Sequence, residues 1–384
     1  MKISIPEYVK KAIFELNIKG FEAYVAGGAV RDALLGMCPD DWDITTNALV
    51  SDVQEIFTRH FDTGIKHGTV TALVDGKPIE ITTYRIEGDY ENNRRPSSVE
   101  FTSNLSDDLK RRDFTINAMA YNDEKGLVDL FGGEDDLKNK VISCVGNPDE
   151  RFNEDALRMM RAVRFSSRLG FEIEDKTFKS IQKNCNLLEN ISAERVQSEL
   201  VKTLLTGADV DVLFSSGIME IILPEVFNNS QLVNSVPADK DLKLAALFYG
   251  TEEEICRKLL NRLKFDNKTK HNVLQILKCS IMEIPDDEIC SRQMLRDFGY
   301  EILEKTISLW KSLQKNVEKA EQILIKTKLQ PHSLSMLAVD GNDLKNIGIS
   351  GIEIGKTMSF LLDEVIKNPE LNTKPQLLDL LAKK

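Results

Sequence analysis

The spacing of hydrophobic and polar residues differs between the front of the chain and the remainder. Up to about residue 145, short apolar runs alternate with segments in which apolar residues recur at helical spacing. The pattern predicts helices at residues 6–19, 27–36 and 49–59, and strands at residues 21–26, 43–46, 69–74 and 78–85. Asp75-Gly76, which separates the last two of these strands, is a strong signal for a tight hairpin. The front is therefore predicted to combine a sheet with helices.

The remainder of the chain is predicted to be helical. After Gly146-Asn147-Pro148 the apolar spacing stays helical almost to the end, and segments such as Ser192-Ala193-Glu194-Arg195 have the composition of helix starts. Residues 86–97, by contrast, are polar and rich in turn formers, which predicts a loop. The predicted fold class is α+β, with a mixed sheet and helices in front and an all-helical part behind.

Length and composition narrow the class of protein. A chain of 384 residues has room for two or three domains of ordinary size. It has no run of about 18 apolar residues, and its first residues lack the apolar core and cleavage site of a secretion signal, so we expect no membrane segment. Six cysteines without a CxxC pair argue against a zinc site and a disulfide framework, and they favour a reducing cytoplasm.

The charges are unevenly distributed. A net charge of −11 points away from nucleic acid, because phosphate contacts need lysine and arginine. Yet five arginines fall between residues 151 and 168, and Lys110-Arg111-Arg112 lies upstream. These residues form either a solvated helix face or a local basic surface, and the overall charge does not decide between the two.

The first candidate for chemistry is the turn Gly27-Gly28-Ala29-Val30-Arg31-Asp32, between a predicted strand and a predicted helix. Glycine lets the backbone come close to a phosphate, and a helix start offers free N–H groups. Arg31 adds donors that match phosphate oxygens. The segment lacks the GxxxxGK[ST] pattern, which excludes a Walker-type site. It is either a phosphate-binding turn or a purely structural one.

Two carboxylates follow this turn within a dozen residues. Asp41 and Asp43 point the same way if the segment is extended, because residues i and i+2 share one face of a strand. Such a pair is favourable around a hard cation such as Mg²⁺, which also binds substrate phosphates. Glu80 is the best candidate for a third carboxylate of a two-metal site, since Ile79 and Ile81 take the other face of its strand. An acidic turn and an ordinary polar strand face are the plainer alternatives.

A row of charged residues occupies the helix predicted after residue 154. Asp155, Arg158, Arg161 and Arg164 are spaced by three, so that neighbours in the row lie close together. Three residues fall short of a full turn, so the row winds around the helix. The row is either a salt-bridge ladder, or a set in which Asp155 and Arg158 read one group while Arg161 and Arg164 bind others.

These motifs together carry a family resemblance. GGAVRD, DWD, IEITTYR, the loop EGDYENNRRP, DLKRRDFTINAMAY and EDALRMMRAVRF resemble, in this order, the class II tRNA nucleotidyltransferases, or CCA-adding enzymes. This group belongs to the polymerase-beta-like nucleotidyltransferases. The matching motifs are dense over residues 21–200 and thin towards the C-terminus. RRDFTINA and EDxxRxxRxxRF are specific to the tRNA nucleotidyltransferase and bacterial poly(A) polymerase group.

The resemblance implies an architecture and a set of site residues. It implies a polymerase-beta-like catalytic head at residues 1–145, a helical neck at 146–205, a helical body at 206–290 and a tRNA-binding helical tail at 291–384. It also implies that Gly28 and Arg31 hold the nucleotide triphosphate and that Asp41 and Asp43 ligate Mg²⁺. The remaining residues that it places in the nucleotide pocket are Arg112, Asp155, Arg158, Arg161 and Arg164.

The implied activity is the template-independent addition of C, C and A to the 3′ end of tRNA. The tRNA 3′ hydroxyl would attack the α-phosphate of CTP or ATP beside the metal-binding carboxylates Asp41 and Asp43. Cytosine and adenine share an amine donor beside a ring-nitrogen acceptor, which an aspartate and an arginine match, whereas uracil and guanine present the reverse. Asp155 and Arg158 would be this pair, and residues 86–96 would be a lever that switches from CTP to ATP.

Several alternatives stay open at this stage. They are an A-adding or CC-adding enzyme, a poly(A) polymerase, and a catalytically inactive RNA-binding protein. The intact EGDYENNRRP loop argues against a CC-adding enzyme, and both carboxylates of the DWD motif argue against an inactive one. The expected partners are tRNA, CTP and ATP, with no membrane, and a homodimer is left open.

Overall fold

The chain forms two compact units. The computed structural model describes residues 3–88, 90–91, 95–96 and 98–382. One unit is Met1–Pro224 and the other is Glu225–Lys384. This boundary falls inside the segment expected to be the body, and the division into head, neck, body and tail stays a prediction. Among the described residues, no helix combines the length and apolar character that a membrane crossing needs.

A mixed sheet organises the front of the first unit. The strands are β1 Ala23–Ala26, β2 Ile44–Thr46, β3 His60–Gly64, β4 Thr69–Val74, β5 Lys77–Thr83, β6 Arg85–Glu87, β7 Tyr90–Glu91, β8 Arg95–Pro96, β9 Val99–Phe101, β10 Met119–Asn122, β11 Gly126–Asp129, β12 Val141–Ile142 and β13 Glu172–Ile173. Seven of them form one sheet in the order β11-β10-β1-β2-β5-β4-β3. In this sheet β2 and β5 run parallel, and the other neighbours run antiparallel. The predicted combination of a mixed sheet with helices is confirmed.

Helices cover the sheet and build the rest of the first unit. They are α1 Glu7–Ile18, α2 Gly28–Leu34, α3 Val50–Ile56, α4 Leu105–Lys110, α5 Gly133–Asn139, α6 Pro148–Glu154, α7 Leu157–Leu169, α8 Asp175–Asn184, α9 Ala193–Leu204, α10 Asp211–Ser215 and α11 Ile218–Ile222. Short 3₁₀ turns lie at Ile65–His67, Thr115–Asn117 and Cys185–Asn190. Beyond residue 146 the predicted helical character holds, apart from β13, which pairs in parallel with β12.

The best-patterned segments fold as expected. Helix α1 begins after Pro6 and buries Val9, Ala12, Ile13 and Leu16, the four positions that define its apolar face. The hairpin between β4 and β5 turns at Asp75 and Gly76, whose φ angles of 50° and 77° are both positive. Positive φ at both central residues is the requirement of the tight hairpin turn that Asp-Gly favours.

Two segments differ from the prediction. The helix expected at residues 49–59 ends with α3, and the chain continues into β3, an edge strand whose central residues are exposed. The segment 86–97, expected to be a loop, contains short strands: β6 pairs with β9, and β7 pairs with β8. Residues 89, 92–94 and 97 lie outside the described residues. The first error arises because a strand with an exposed centre leaves no apolar alternation in the sequence.

The second unit is helical throughout its described secondary structure. Its helices are α12 Ser230–Ser235, α13 Lys240–Leu247, α14 Glu253–Arg262, α15 Asn267–Ser280, α16 Glu288–Phe298, α17 Tyr300–Ser312, α18 Glu318–Thr327, α19 Gly341–Asn346, α20 Ile352–Lys367 and α21 Lys374–Ala382. Further 3₁₀ turns lie at Leu334–Met336 and Pro369–Leu371. Trp310 is fully buried, and its indole N–H donates to the carbonyl oxygen of Ser280 at 2.8 Å. The burial of this large side chain with its polar group satisfied anchors the core.

Candidate active site

The first unit contains a strongly cationic cleft of about 990 Å³. Ten cationic side chains and three carboxylates line it, although the chain as a whole is acidic. Its charged lining residues are Arg31, Asp43, Lys66, Arg85, Arg111, Arg112, Asp113, Asp155, Arg158, Arg161, Arg164, Arg168 and Arg195. The arginines between residues 158 and 168 therefore face a cleft rather than forming only a solvated helix surface. The local charge makes this cleft suitable for a polyanion.

The glycine turn lies at one wall of the cleft. Gly27 follows β1 with φ +75° and ψ −131°, and Gly28 begins α2. The backbone angle favours glycine here, and a Cβ atom on Gly27 would lie 2.6 Å from Nη1 of Arg112, so a side chain would displace that guanidinium. Arg31, on the first turns of α2, is almost completely buried and lines the cleft. Its Nη1 donates to Oδ1 of Asn117 at 2.6 Å, and it forms an ion pair with Asp32 at 2.7 Å.

Of the three candidate metal ligands, Asp41 and Asp43 lie just before β2, and Glu80 lies on the neighbouring strand β5. Because β2 and β5 are parallel with Ile44 opposite Ile81, Asp43 and Glu80 occupy adjoining positions at the start of this pairing. The side chains of Asp41, Asp43 and Glu80 are exposed. The pKa of Asp43 is raised to about 6, chiefly by desolvation and then by the negative charges of Glu80 and Asp41, while the positive charge of Arg112 opposes the rise.

The chemistry of these side chains suits a divalent cation, although the structure does not bring all three carboxylates within coordinating distance of one another. Carboxylate oxygens are the ligands that hard divalent ions take, and like charges held together are relieved by a bound cation. Asp43 also lines the arginine-rich cleft, so a cation on it would lie beside the place where a triphosphate is attracted. The carboxylates that could hold the ion are therefore Asp41 and Asp43, with Glu80 beside them.

Asp155 lies between two helices rather than within one. It follows α6, and its Oδ1 accepts the N–H of Leu157 at 3.1 Å as α7 begins. Its ion pair is formed with Arg195 of α9, at 2.8 Å between Nη2 and Oδ2 and 3.3 Å between Nη1 and Oδ1. Asp155 is thus the C-cap of α6, and its carboxylate forms an ion pair with a residue of α9.

Arg158 is a buried residue with its own set of partners. Its guanidinium forms an ion pair with Glu154 and donates to the carbonyl oxygens of Arg151 at 3.1 Å and Arg111 at 3.0 Å. Contacts to two segments fix the direction of this side chain. Asp155 and Arg158 nevertheless line the same cleft, so the structure brings the two candidate base-reading residues together.

Each of the next two arginines of α7 is held by a carboxylate from another segment. Arg161 pairs with Asp113 at 2.7 Å, and Arg164 pairs with Glu199 of α9 at 2.6 Å. Although burial favours the neutral acid, the charge of Arg161 and a hydrogen bond from Asn117 lower the pKa of Asp113 to about 2. A carboxylate that stays ionised fixes its arginine at the cleft wall.

An aromatic ring completes this wall. Phe165 is buried, and the guanidinium carbons of Arg31, Arg161 and Arg164 lie 4.9, 5.3 and 4.4 Å from its ring centroid. Its ring meets that of Phe114 edge to face at 5.8 Å. The ring face attracts cations and separates three like charges that would otherwise repel one another.

Three family models match successive parts of the chain. A model described as "Poly A polymerase head domain" matches residues 23–143. One described as "Probable RNA and SrmB- binding site of polymerase A" matches residues 170–229. A third, for tRNA nucleotidyltransferase domain 2, matches residues 237–381. The first of these spans the sheet, the glycine turn and the candidate metal ligands.

Whole-length relatives settle the family. The chain is 38% identical over 386 residues to a CCA-adding enzyme of Ligilactobacillus salivarius, covering 95% of this chain and 93% of that protein. It is 37% identical over 409 residues to a CCA-adding enzyme of Enterococcus faecalis, covering 100% of this chain and 98% of that one. The chain belongs to the CCA-adding enzyme family. A solved structure of the Bacillus stearothermophilus CCA-adding enzyme in complex with CTP matches with a TM-score of 0.84 and 31% identity, over 99% of each chain.

Some cleft residues of this family member were not found by sequence reasoning. They are Lys66, His67, Arg85, Asp113, Asn117, Phe165 and Arg195, whereas Arg111 and Arg168 belong to the basic stretches noted in the sequence. Asp113, Asn117 and Phe165 lie inside the recognised blocks RRDFTINA and RMMRAVRF, so the motifs could have pointed to them. Arg195 has no such signal, because its partner Asp155 is 40 residues away and only the packing of α9 beside α7 joins them.

Proposed function

We propose that this chain adds C, C and A to the 3′ end of tRNA, using CTP and ATP without a nucleic acid template. The observation that carries the proposal is the convergence on one cleft of the glycine turn, a metal-competent carboxylate and an arginine-rich helix. These elements supply what nucleotidyl transfer needs, which is a grip on the triphosphate and charge stabilisation at the α-phosphate. The shared family with CCA-adding enzymes supports the same activity.

In the proposed reaction the tRNA 3′ hydroxyl attacks the α-phosphate, and pyrophosphate leaves. Gly28 and Arg31 bind phosphate oxygens at the cleft wall, because the turn brings backbone close and the guanidinium is already fixed by Asn117. Arg161 and Arg164 of α7 add positive charge beside Arg31, around the ring of Phe165. Preorganised donors of this kind need no rearrangement when charge develops on the leaving group.

The proposed metal is Mg²⁺, held by Asp41 and Asp43. When bound there, the ion supplies Lewis-acid charge that favours an ionised nucleophile and offsets the charge of the phosphate. Glu80 occupies the position beside Asp43 and is proposed as the third carboxylate of this centre. Arg112, whose charge opposes the raised pKa of Asp43, would contact the nucleotide near the same end of the cleft.

Base selection is assigned to Asp155 and Arg158. A carboxylate accepts from the amine of cytosine or adenine, and a guanidinium donates to the adjacent unprotonated ring nitrogen. Uracil and guanine offer a carbonyl and a ring N–H at these positions, so each would leave a buried polar group unpaired. Selection by such unpaired groups can reach about 10⁴-fold.

The helices beyond the catalytic head are proposed to hold tRNA. The neck at residues 146–205 would carry the nucleotide-selecting helix, and the helical body at 206–290 would follow it. The tail at 291–384 would bind the tRNA through its shape and its sugar-phosphate backbone. Six free cysteines are consistent with a cytoplasmic location for this work.

The activity is tested with three tRNA substrates. Purified protein is incubated with tRNA lacking CCA, tRNA ending in C, and tRNA ending in CC, with CTP and ATP offered separately. The proposal expects CMP on the first two and AMP on the third. AMP alone, CMP alone, or long A tails would instead identify an A-adding enzyme, a CC-adding enzyme or a poly(A) polymerase. Absence of incorporation on all three would refute the proposed catalysis.

A further inference from the structure

Arg195 holds the carboxylate of Asp155 at two points. It lies on the first turn of α9, and its side chain is partly exposed at the cleft. Its two terminal nitrogens bind the two oxygens of Asp155 separately, Nη2 to Oδ2 at 2.8 Å and Nη1 to Oδ1 at 3.3 Å. Two parallel contacts from a planar guanidinium fix the plane of a carboxylate as well as its distance.

The contacts of Asp155 leave it with little spare acceptor capacity. A carboxylate offers about four lone-pair sites, two on each oxygen. Oδ1 accepts from Arg195 and from the backbone N–H of Leu157, at 3.3 and 3.1 Å, and is therefore filled. Among the residues that the structure describes, Oδ2 accepts a hydrogen bond from Arg195 alone. One acceptor site, on Oδ2, is left for a ligand in the cleft.

We propose that Arg195 is a positioning residue for nucleotide selection. By occupying one site on each oxygen it confines the recognition of a base to the remaining lone pair of Oδ2, which an amine donor fills and a carbonyl does not. This inference rests on the proposed function, in which Asp155 reads the base, and adds a residue that acts through Asp155. Without Arg195 the carboxylate turns about its own bond and presents other lone pairs, so its acceptor no longer has a fixed direction.

The chemistry of the pair requires arginine rather than any cation. Lysine would keep the positive charge, but an ammonium is a point donor and cannot bind both oxygens in one plane. Arg195→Lys therefore restores charge without restoring orientation, whereas Arg195→Ala removes both. If the loss of base discrimination is smaller in Arg195→Lys than in Arg195→Ala but still present, Arg195 orients Asp155 and does not merely attract the triphosphate.

The test measures single-nucleotide incorporation on tRNA lacking CCA, with CTP and UTP in separate reactions. We expect Arg195→Ala to lose about tenfold or more of the wild-type CTP-over-UTP ratio in kcat/KM, chiefly through a higher KM for CTP. Arg195→Lys is expected to fall between wild type and alanine. Arg168→Ala is the charge-matched control, since Arg168 lines the same cleft and pairs with Asp32 at 3.4 Å. It should weaken CTP and UTP alike and leave their ratio unchanged.

A double-mutant cycle decides whether Arg195 acts through Asp155. The double variant Asp155→Ala/Arg195→Ala should discriminate no worse than Asp155→Ala alone. Independent losses that multiply in the double variant would overturn the positioning role in favour of direct contact with the nucleotide. An unchanged CTP-over-UTP ratio in Arg195→Ala, with wild type active and selective, would overturn the inference and leave the proposed function standing.

A wild-type protein that incorporates neither nucleotide would overturn the proposed function and the inference together. Thermal melts exclude misfolding, and Arg195→Lys carries the test if the alanine variant fails to fold.

Discussion

Replacement of Gly27 by alanine tests whether the glycine turn is built for the site. Gly27 has φ +75° and ψ −131°, a region that residues with a side chain rarely adopt. Its added methyl group would stand 2.6 Å from Nη1 of Arg112. Arg112 is held on its other side by Asp108, at 3.2 Å. The substitution therefore strains the backbone and pushes a cleft arginine away from its fixed position.

The two effects have different sizes and different readouts. A residue held in such a backbone conformation costs about 1–3 kcal/mol of stability. For a unit of this length, each kcal/mol corresponds to roughly 2–4 °C in Tm. The displaced guanidinium is a flexible side-chain end, so its movement adds little to this cost. Its main consequence is a weaker grip on the nucleotide, which appears as a higher KM for both CTP and ATP.

A second glycine provides the matched control. Gly36 also has a positive φ, +73°, but a Cβ there would meet no atom within 4 Å. Gly36→Ala should lower Tm by a similar amount and leave the KM values unchanged. Thermal melts and steady-state incorporation of CMP and AMP are measured on both variants and wild type. A Gly27→Ala variant with wild-type KM values, whatever its Tm, would refute the argument that this turn and Arg112 are packed for nucleotide binding.

Four further predictions concern the same cleft. Asp41→Ala or Asp43→Ala should abolish incorporation of both CMP and AMP while tRNA binding, measured by gel shift, persists; near-normal rates in either variant would contradict the metal assignment. The raised pKa of Asp43, about 6, means that Asp43 is protonated at lower pH and no longer binds a cation. The affinity for Mg²⁺, measured by calorimetry, should therefore rise as the pH increases through 6, and an affinity that does not depend on pH would contradict this prediction. Asp155→Ala should reduce the CTP-over-UTP preference by about 1–3 kcal/mol, against no change if the residue only stabilises the helix. Deletion of residues 86–96 should spare CMP addition and impair AMP addition, and equal loss of both would argue against a switching role.

Local patterns predicted the parts of the fold that depend on local physics. The sequence pattern predicted every buried residue of α1, because a helix that packs on one side repeats its buried positions every three to four residues. The hairpin at Asp75-Gly76 was found because its turn demands positive φ at both residues. Strands β10 and β11 were missed, since their burial comes from non-local pairing with β1 and with each other. Four consecutive residues of β10 are buried, which leaves no alternation to detect.

In the candidate site too, local patterns predicted some residues, and contacts between distant segments determine the others. The residue spacing suggested a metal-binding pair at Asp41 and Asp43, the glycine turn suggested Arg31 as a phosphate ligand, and the resemblance placed Arg112 in the nucleotide pocket. The spacing of Asp155 and Arg158 led to the expectation of one continuous helix, whereas α6 ends before Asp155 and α7 begins at Leu157. Pairings between segments far apart in the sequence follow from the packing of α7 against α9, which no local window contains.

The cleft also explains how an acidic chain can present a surface suited to a polyanion. Eight of its arginines are paired with carboxylates. The pairs are Arg31 and Arg168 with Asp32, Arg111 and Arg112 with Asp108, Arg158 with Glu154, Arg161 with Asp113, Arg164 with Glu199 and Arg195 with Asp155. A buried guanidinium without a partner would be strongly unfavourable, so these acids make a dense group of cations compatible with folding. They also hold each guanidinium in place before a ligand arrives, which removes the reorganisation that binding would otherwise require. Part of the acidic excess therefore supports the cationic site, and the affinity of the cleft for phosphate depends on where the guanidiniums are held rather than on the net charge of −11.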